Sequence, residues 1–351
     1  METPPKKYKV CVLGAGSYGT AMAFVAGQQG HDVSLWMRRE EVAKAIRETG
    51  FHPQRFSNEK IPKSVTATSN IDDALKDADV IIHCIPAQYT PKFVQSIASK
   101  IPSGTPYVST AKGIHVSTHS LMSEAIPRAL GEHAKRVQLA YLSGPSFAKE
   151  MVKGHPVSVI VASYALGDGT KPPQPETALK VQKILNAERF RIYVSDDVIG
   201  VEVGGALKNP LAIGAGIAIG SGFGQSTIAG IITRGCREMR LLAVALGGRP
   251  ETLAGLSGIG DLMLTCFSSL SRNNRCGRAL AEGKSADQIM KEMGEVVEGV
   301  PTASEVVALA KTHKLHLPLF FAVNEIIAGR LTAKSALSIL MRTPPGRETF
   351  T

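Results

Sequence analysis

A short apolar run, Lys9-Val-Cys-Val-Leu13, leads directly into Gly14-Ala-Gly16-Ser-Tyr-Gly19, and a small-residue stretch, Thr20 to Gln28, follows. Strand, glycine turn and helix in that order, with a second β-rich run at Asp32-Val-Ser-Leu-Trp36, constrain this region to a βαβ unit. The first glycine permits a tight turn, the second lets a ligand approach the backbone, and the third packs helix on strand. Amides at the helix start favour an anion such as a pyrophosphate. The pattern points to a dinucleotide held by Gly14, Gly16 and Gly19; without a ligand it reduces to a glycine turn.

The alternation of short β-rich runs and helical stretches continues to about residue 195, as expected of a mostly parallel sheet covered by helices. Beyond the first two runs, strands are expected at Val80–Ile85, Tyr107–Thr110, Val137–Leu142, Val157–Val161 and Phe190–Val194. Ala165 to Thr177, rich in Gly, Asp and Pro, reads as a surface loop within this part. From Asp197 the β-runs stop and Ala, Leu, Gly, Lys and Glu dominate, as in Thr227 to Ala245 and Thr302 to Lys311. The expected fold is an α/β Rossmann-like N-terminal domain, residues 1–196, followed by an all-helical C-terminal domain, residues 197–351. A chain of 351 residues accommodates two such domains.

Hydrophobic residues at 44% and charged residues at 20% supply cores for both parts. The net charge of +10 is scattered, without a basic block or interleaved aromatics, which argues against nucleic-acid binding and suits a site that gathers phosphorylated substrates. Cys11, Cys84, Cys236, Cys266 and Cys276 have no zinc or haem spacing, so reduced thiols and no metal are expected. Leu211 to Gly220 is too short and glycine-rich to span a bilayer. Met1 to Lys7 carries no apolar stretch, so no secretory signal is expected there.

Four further features carry chemistry. After the second strand, where NAD-selective sites place an acid on the ribose, the chain offers Arg38-Arg39: either partners for a 2'-phosphate or a solvated pair. In Glu202-Val-Gly-Gly-Ala-Leu-Lys208-Asn209 a lysine and an amide sit among small neighbours; alone, such a lysine is more often a surface charge. Asp261 and Thr265 lie one helical turn apart after a glycine turn, able to orient a lysine between them, although an Asp there is commonly just a helix cap. Ser271-Arg272-Asn273 opens a helix and forms either a phosphate cradle or an ordinary basic first turn.

Together with Ala111-Lys112-Gly113, Ser143-Gly-Pro-Ser-Phe-Ala-Lys-Glu150, Gly258-Ile-Gly-Asp-Leu262 and Val296-Val-Glu-Gly299, these motifs resemble the NAD(P)-dependent glycerol-3-phosphate dehydrogenases, bacterial-type members above animal cytosolic ones. The likeness spans nearly the whole chain. It implies a homodimer that interconverts dihydroxyacetone phosphate and sn-glycerol 3-phosphate using NAD, with NADP admitted. Lys208 is implied as general acid and base, Lys112 as a contact to substrate and cofactor, and Asp261 with Thr265 as the pair positioning Lys208. Ser271, Arg272 and Asn273 are implied to hold the phosphate, with Gly144, Ser146 and Asn209 on the substrate side. Ser17, Tyr18, Arg38, Ala148, Arg272, Val296 and Glu298 are implied cofactor contacts. Gln225 to Gly230 and Pro210 depart from the family pattern and put local substrate-side geometry in question.

The rivals are a two-domain dehydrogenase of a 2-hydroxy or 3-hydroxy acid, which would want arginines for a carboxylate, and a non-catalytic dinucleotide sensor. The expected location is cytoplasmic. Phe350-Thr351 is no peroxisomal tripeptide, and a natural end extending to one would place the protein in a peroxisome-like microbody, a glycosome.

Overall fold

The computed structural model describes residues 6–165 and 174–342. The residues before Lys6, positions 166–173 of the expected loop, and Phe350-Thr351 lie outside the described residues. The chain divides into two compact units, one of residues 1–111 with 122–198 and the other of residues 112–121 with 199–351.

The first unit holds an eight-stranded sheet: β1 Lys9–Leu13, β2 Asp32–Trp36, β3 Val65–Thr68, β4 Val80–His83, β5 Pro106–Ser109, β6 Gln138–Ser143, β7 Val157–Ala162 and β8 Phe190–Ser195, in the order β3-β2-β1-β4-β5-β6-β7-β8. All neighbours are parallel except β6 and β7. Strand order reverses at β1, so the crevice at its carboxyl end is the topological switch point where doubly wound sheets bind ligands. The helix Ser17–Gln28 begins there, and nine of its residues, Gly19 to Gly27, are buried. Val10, Val12, Leu35 and Ile82 carry the core beneath it, each with essentially no exposure.

Seven of the eight strands coincide with the expected β-rich runs, and β3 is the addition. Val65-Thr-Ala-Thr68 has one strongly apolar residue, unlike the equally short Val80-Ile-Ile-His83, so no hydrophobic run marks it, but pairing with β2 in register Val33 to Val65 completes the edge.

The second unit is helical: among the described residues no strand follows β8. Its axis is the 23-residue helix Val198–Gly220, which continues through Pro210. Proline there removes one i to i−4 bond, and surrounding helices make up the packing. Helices Gln225–Ala245, Asp261–Phe267, Arg272–Ala281, Gly299–Thr312 and Pro318–Ile327 follow. Leu207, Leu211, Met239, Leu262 and Phe320 form the core of this unit. No helix among the described residues is long and apolar enough to cross a membrane. All five cysteines are free thiols.

Candidate active site

Helix Val198–Gly220 is dense in small residues because two other backbones press on it. A Cβ on Gly204 would lie 2.7 Å from the Ser257 carbonyl oxygen, and one on Gly216 only 2.1 Å from that of Asn274. Gly277 meets the Ile213 oxygen at 2.0 Å in the same way. Glycine on both sides of the Gly216 and Gly277 crossing therefore seats helix Arg272–Ala281 directly on the helix carrying Lys208. The turn Leu256–Gly260, docked at Gly204, delivers Asp261 to the start of its own helix.

That packing buries an ionic cluster. Lys208, 7% exposed, donates from Nζ to Asp261 Oδ1 at 2.7 Å and to Thr265 Oγ1 at 2.9 Å. Lys112 donates from Nζ to the other carboxylate oxygen, Oδ2, at 2.7 Å. Thr265 gives its own hydroxyl proton to the Asp261 carbonyl at 2.6 Å, leaving an oxygen lone pair for Lys208. The lysine is no surface charge and Asp261 is no cap. Two ammonium groups against one carboxylate leave the cluster with a net positive charge suited to an anionic oxygen.

Burial lowers the pKa of Lys208, Asp261 pulls it back up, Lys112 pushes it down, and the result is about 8. Burial alone would raise Asp261, but Lys112 and Lys208 outweigh it and hold the carboxyl below its ordinary range. Burial pushes the nearby Cys266 thiol up to about 12, so it stays protonated.

Asn209 and Asn273 join the cluster as a chain of amides. Asn209 Nδ2 donates to the Lys112 carbonyl at 3.1 Å, Asn273 Nδ2 donates to Asn209 Oδ1 at 2.8 Å, and Gly299 N donates to Asn273 Oδ1 at 3.0 Å. Much of their bonding capacity is thus spent on holding Lys112 and helix Arg272–Ala281 in place. Ser271 caps that helix, accepting from Asn274 N at 3.2 Å. Arg272 beside it is exposed. Val296 is 38% exposed, and Glu298 stands half-buried just ahead of helix Gly299–Thr312 in the same unit.

In the first unit the fingerprint glycines have distinct reasons. Gly14 has φ +106°, and Gly19 cannot carry a Cβ, which would sit 1.8 Å from the Gly14 oxygen. A Cβ on Gly16 would meet nothing within 4 Å, so the protein's own packing does not demand glycine there. The helix it precedes has no side-chain cap and no acid in its first turn. An open glycine before an uncapped helix fits a pyrophosphate, whose oxygens need close approach to amides. Tyr18 OH lies 3.2 Å from Ser146 Oγ, tying the fingerprint to the Gly144 turn, where φ is +125°. Ala148 packs against the core of this unit.

Of the arginine pair, Arg39 bonds Gln54, while Arg38 is exposed with no hydrogen bond or ion pair among the described residues. Sequence reasoning missed His52. Its Nε2 donates to the Ala15 carbonyl at 3.1 Å while Nδ1 accepts from Gln54 N and Arg55 N, so a buried imidazole braces the glycine turn. Burial lowers its pKa, which keeps it in that neutral form. A lone histidine in a loop carries no pattern that announces this.

Family models for the N-terminal and C-terminal parts of NAD-dependent glycerol-3-phosphate dehydrogenase match residues 9–167 and 197–338. The chain is 39% identical to glycerol-3-phosphate dehydrogenase [NAD(P)+] of Parvibaculum lavamentivorans over 342 residues, covering 97% of this chain and 98% of that one. It is 40% identical to the chloroplastic NAD(+) enzyme of rice, covering 97% of this chain and 75% of the relative. The crystal structure of glycerol-3-phosphate dehydrogenase from Coxiella burnetii superposes with TM-score 0.86 at 33% identity, covering 96% of this chain and 99% of that one. D-mandelate dehydrogenase superposes at TM-score 0.58 with 15% identity, covering 94% of this chain and 99% of that one, a likeness of fold alone.

Proposed function

The chain belongs to the NAD-dependent glycerol-3-phosphate dehydrogenases, and we propose that buried Lys208 is its proton donor and acceptor. It is an NAD(P)-dependent oxidoreductase that interconverts dihydroxyacetone phosphate and glycerol 3-phosphate. The observation that carries the lysine role is the cluster itself: Asp261 binds Lys208 through one oxygen and Lys112 through the other.

When bound, the reduced nicotinamide supplies the hydride. Lys208 gives its proton to the ketone oxygen of dihydroxyacetone phosphate, and in the reverse direction its free amine takes the hydroxyl proton of glycerol 3-phosphate. A pKa near 8 keeps both forms accessible close to neutrality. Lys112 and Lys208 face the developing alkoxide as two preorganised cations, which stabilise it at no cost of reorganisation. Asp261 and Thr265 fix the direction of the Lys208 ammonium and stay in place as the proton moves.

Ser271, Arg272 and Asn273 hold the substrate phosphate at the start of their helix, and Asn209, Gly144 and Ser146 complete the substrate side. Binding there, away from the reacting carbon, orients it. Gly14, Gly16, Ser17, Tyr18, Gly19, Arg38 and Ala148, with Lys112, Arg272, Val296 and Glu298, hold the dinucleotide. We assign 1–196 as the dinucleotide-binding part and 197–351 as the substrate-binding part of a cytoplasmic homodimer.

The test is NADH oxidation with dihydroxyacetone phosphate, unphosphorylated dihydroxyacetone and a 2-oxo acid, for the native chain and Arg272→Ala. Turnover of the phosphorylated ketone is expected, with only residual turnover of dihydroxyacetone and none of the 2-oxo acid. Arg272→Ala should cost about 1.5–3 kcal/mol in kcat/KM on that substrate, roughly tenfold to a hundredfold, and little on dihydroxyacetone. Equal losses on both would remove Arg272 from the phosphate, and turnover of the 2-oxo acid would favour the hydroxy-acid reading. NADH binding without turnover of any would favour a sensor.

A further inference from the structure

Residues 112–121 follow β5 in the chain yet cluster with the helical unit, as a strap that begins at Lys112. Ile114 and Leu121 sink into the core of that unit. The polar residues between them are bonded to one another: His115 N donates to the Ser120 carbonyl at 2.9 Å, His115 Nδ1 lies 2.8 Å from Thr118 Oγ1, and Thr118 Oγ1 lies 2.6 Å from Ser120 Oγ. These bonds tie the two ends of the strap to each other. Where its far end is fastened therefore bears on where Lys112 sits.

Beside the apolar anchors Ile114 and Leu121, the polar fastening is His119. Its Nδ1 lies 2.6 Å from Glu305 Oε2 on helix Gly299–Thr312, and the carboxylate can only accept, so the imidazole donates. His119 is largely exposed, whereas the Glu305 side chain is 5% exposed and has no other hydrogen-bond partner among the described residues. A buried carboxylate needs a donor, and the strap brings one from outside. The backbone at His119 has φ +51°, a left-handed conformation that glycine adopts freely and side chains seldom do. Glycine would fit the turn more easily. The histidine is therefore best explained by its bond.

We propose that His119 is a positioning residue for the reaction: clasped to Glu305, it holds the strap on the helix and thereby sets the reach of Lys112 toward Asp261. The proposal rests on the catalytic reading of Lys112 given above. Only the Nδ1 proton is required, so an asparagine, whose amide nitrogen stands the same number of bonds from Cβ and which tolerates left-handed backbone, can replace the histidine.

The experiment compares the native chain with His119→Gly, His119→Asn, Lys112→Ala and the double variant His119→Gly/Lys112→Ala, reading kcat and the KM values for dihydroxyacetone phosphate and NADH. His119→Gly should lower kcat roughly tenfold, short of the hundredfold that a misplacement of ~1 Å can cost, with KM for NADH unchanged. His119→Asn should keep native turnover. In the Lys112→Ala background His119→Gly should add nothing, because a residue acting through Lys112 has nothing left to position. The proposal is overturned if His119→Gly keeps native kcat, if glycine and asparagine lose equally, or if the glycine loss persists in full without Lys112. Native turnover in Lys112→Ala would overturn the reading of Lys112 itself, a result distinct from failure at His119 alone.

Discussion

The glycine fingerprint and the lysine cluster are built from opposite materials. The fingerprint spans six consecutive residues and works through missing side chains: Gly19 has no space for one, and Gly16 leaves its backbone open. The cluster works through the charges of Lys112, Lys208 and Asp261, packed together with the Thr265 hydroxyl. A site made of backbone is positioned by the turn that contains it. A site made of buried charges is positioned by everything packed around it, and its chemistry depends on a balance between burial and partners.

The contrast implies that chemistry and cofactor binding can be damaged separately. Lys208→Ala should lower kcat by roughly 10²- to 10⁴-fold or more, as expected for loss of an acid and a cation, while the NADH dissociation constant stays near native. Titration of NADH fluorescence beside steady-state turnover checks both. Turnover above about a tenth of native would exclude Lys208 as the acid.

A smaller effect separates two glycines of one motif. Gly19→Ala should cost about 1–3 kcal/mol of stability or more, because its Cβ collides with the Gly14 carbonyl. Gly16→Ala should leave the melting temperature near native and weaken NADH, since only the ligand needs that space. Melting curves with and without NADH distinguish the two. A Gly16→Ala chain that binds NADH normally would break the argument that the ligand dictates this glycine.

The same contrast explains what was legible. The fingerprint, seven of the eight strands and the change to helices after Asp197 all rest on local patterns of glycine placement and hydrophobic period. Strand β3, with Val65 as its one strongly apolar residue, carries no such pattern, and His52 braces Ala15 across 37 positions with nothing in its neighbourhood to mark it. Lys208 taken by itself read as a surface charge because its partner Asp261 is 53 positions away, and Lys112 is 149 from the same carboxylate. Likeness to a family, carried by seven motifs in order, brought these residues to notice; their distances and burial became readable only in the fold. Asn209 and Asn273, expected on the substrate side, turn out to spend much of their bonding on Lys112 and on each other.

The smallest effect concerns the cofactor phosphate. Arg39 is bonded to Gln54, whereas Arg38, the residue proposed to meet a 2'-phosphate, is exposed. Arg38→Asp should therefore depress kcat/KM for NADPH several-fold, roughly the scale of one exposed charge contact, while NADH use holds or improves. An unchanged ratio would make Arg38 a solvated loop charge.

The pH dependence of kcat/KM in both directions tests Lys208 most directly, because that parameter reports ionisations of the free enzyme. Lys208 is pulled down to about 8 by burial, with Asp261 holding it from falling further. Reduction of dihydroxyacetone phosphate needs the ammonium form and should fall as pH rises through about 8; oxidation of glycerol 3-phosphate needs the free amine and should rise through the same pH. Asp261→Asn removes a charge that raises the lysine's pKa, so both inflections should move to lower pH, with turnover reduced. A reduction profile that stays flat through this range, or an Asp261→Asn inflection displaced to higher pH, would contradict Lys208 as the acid and base.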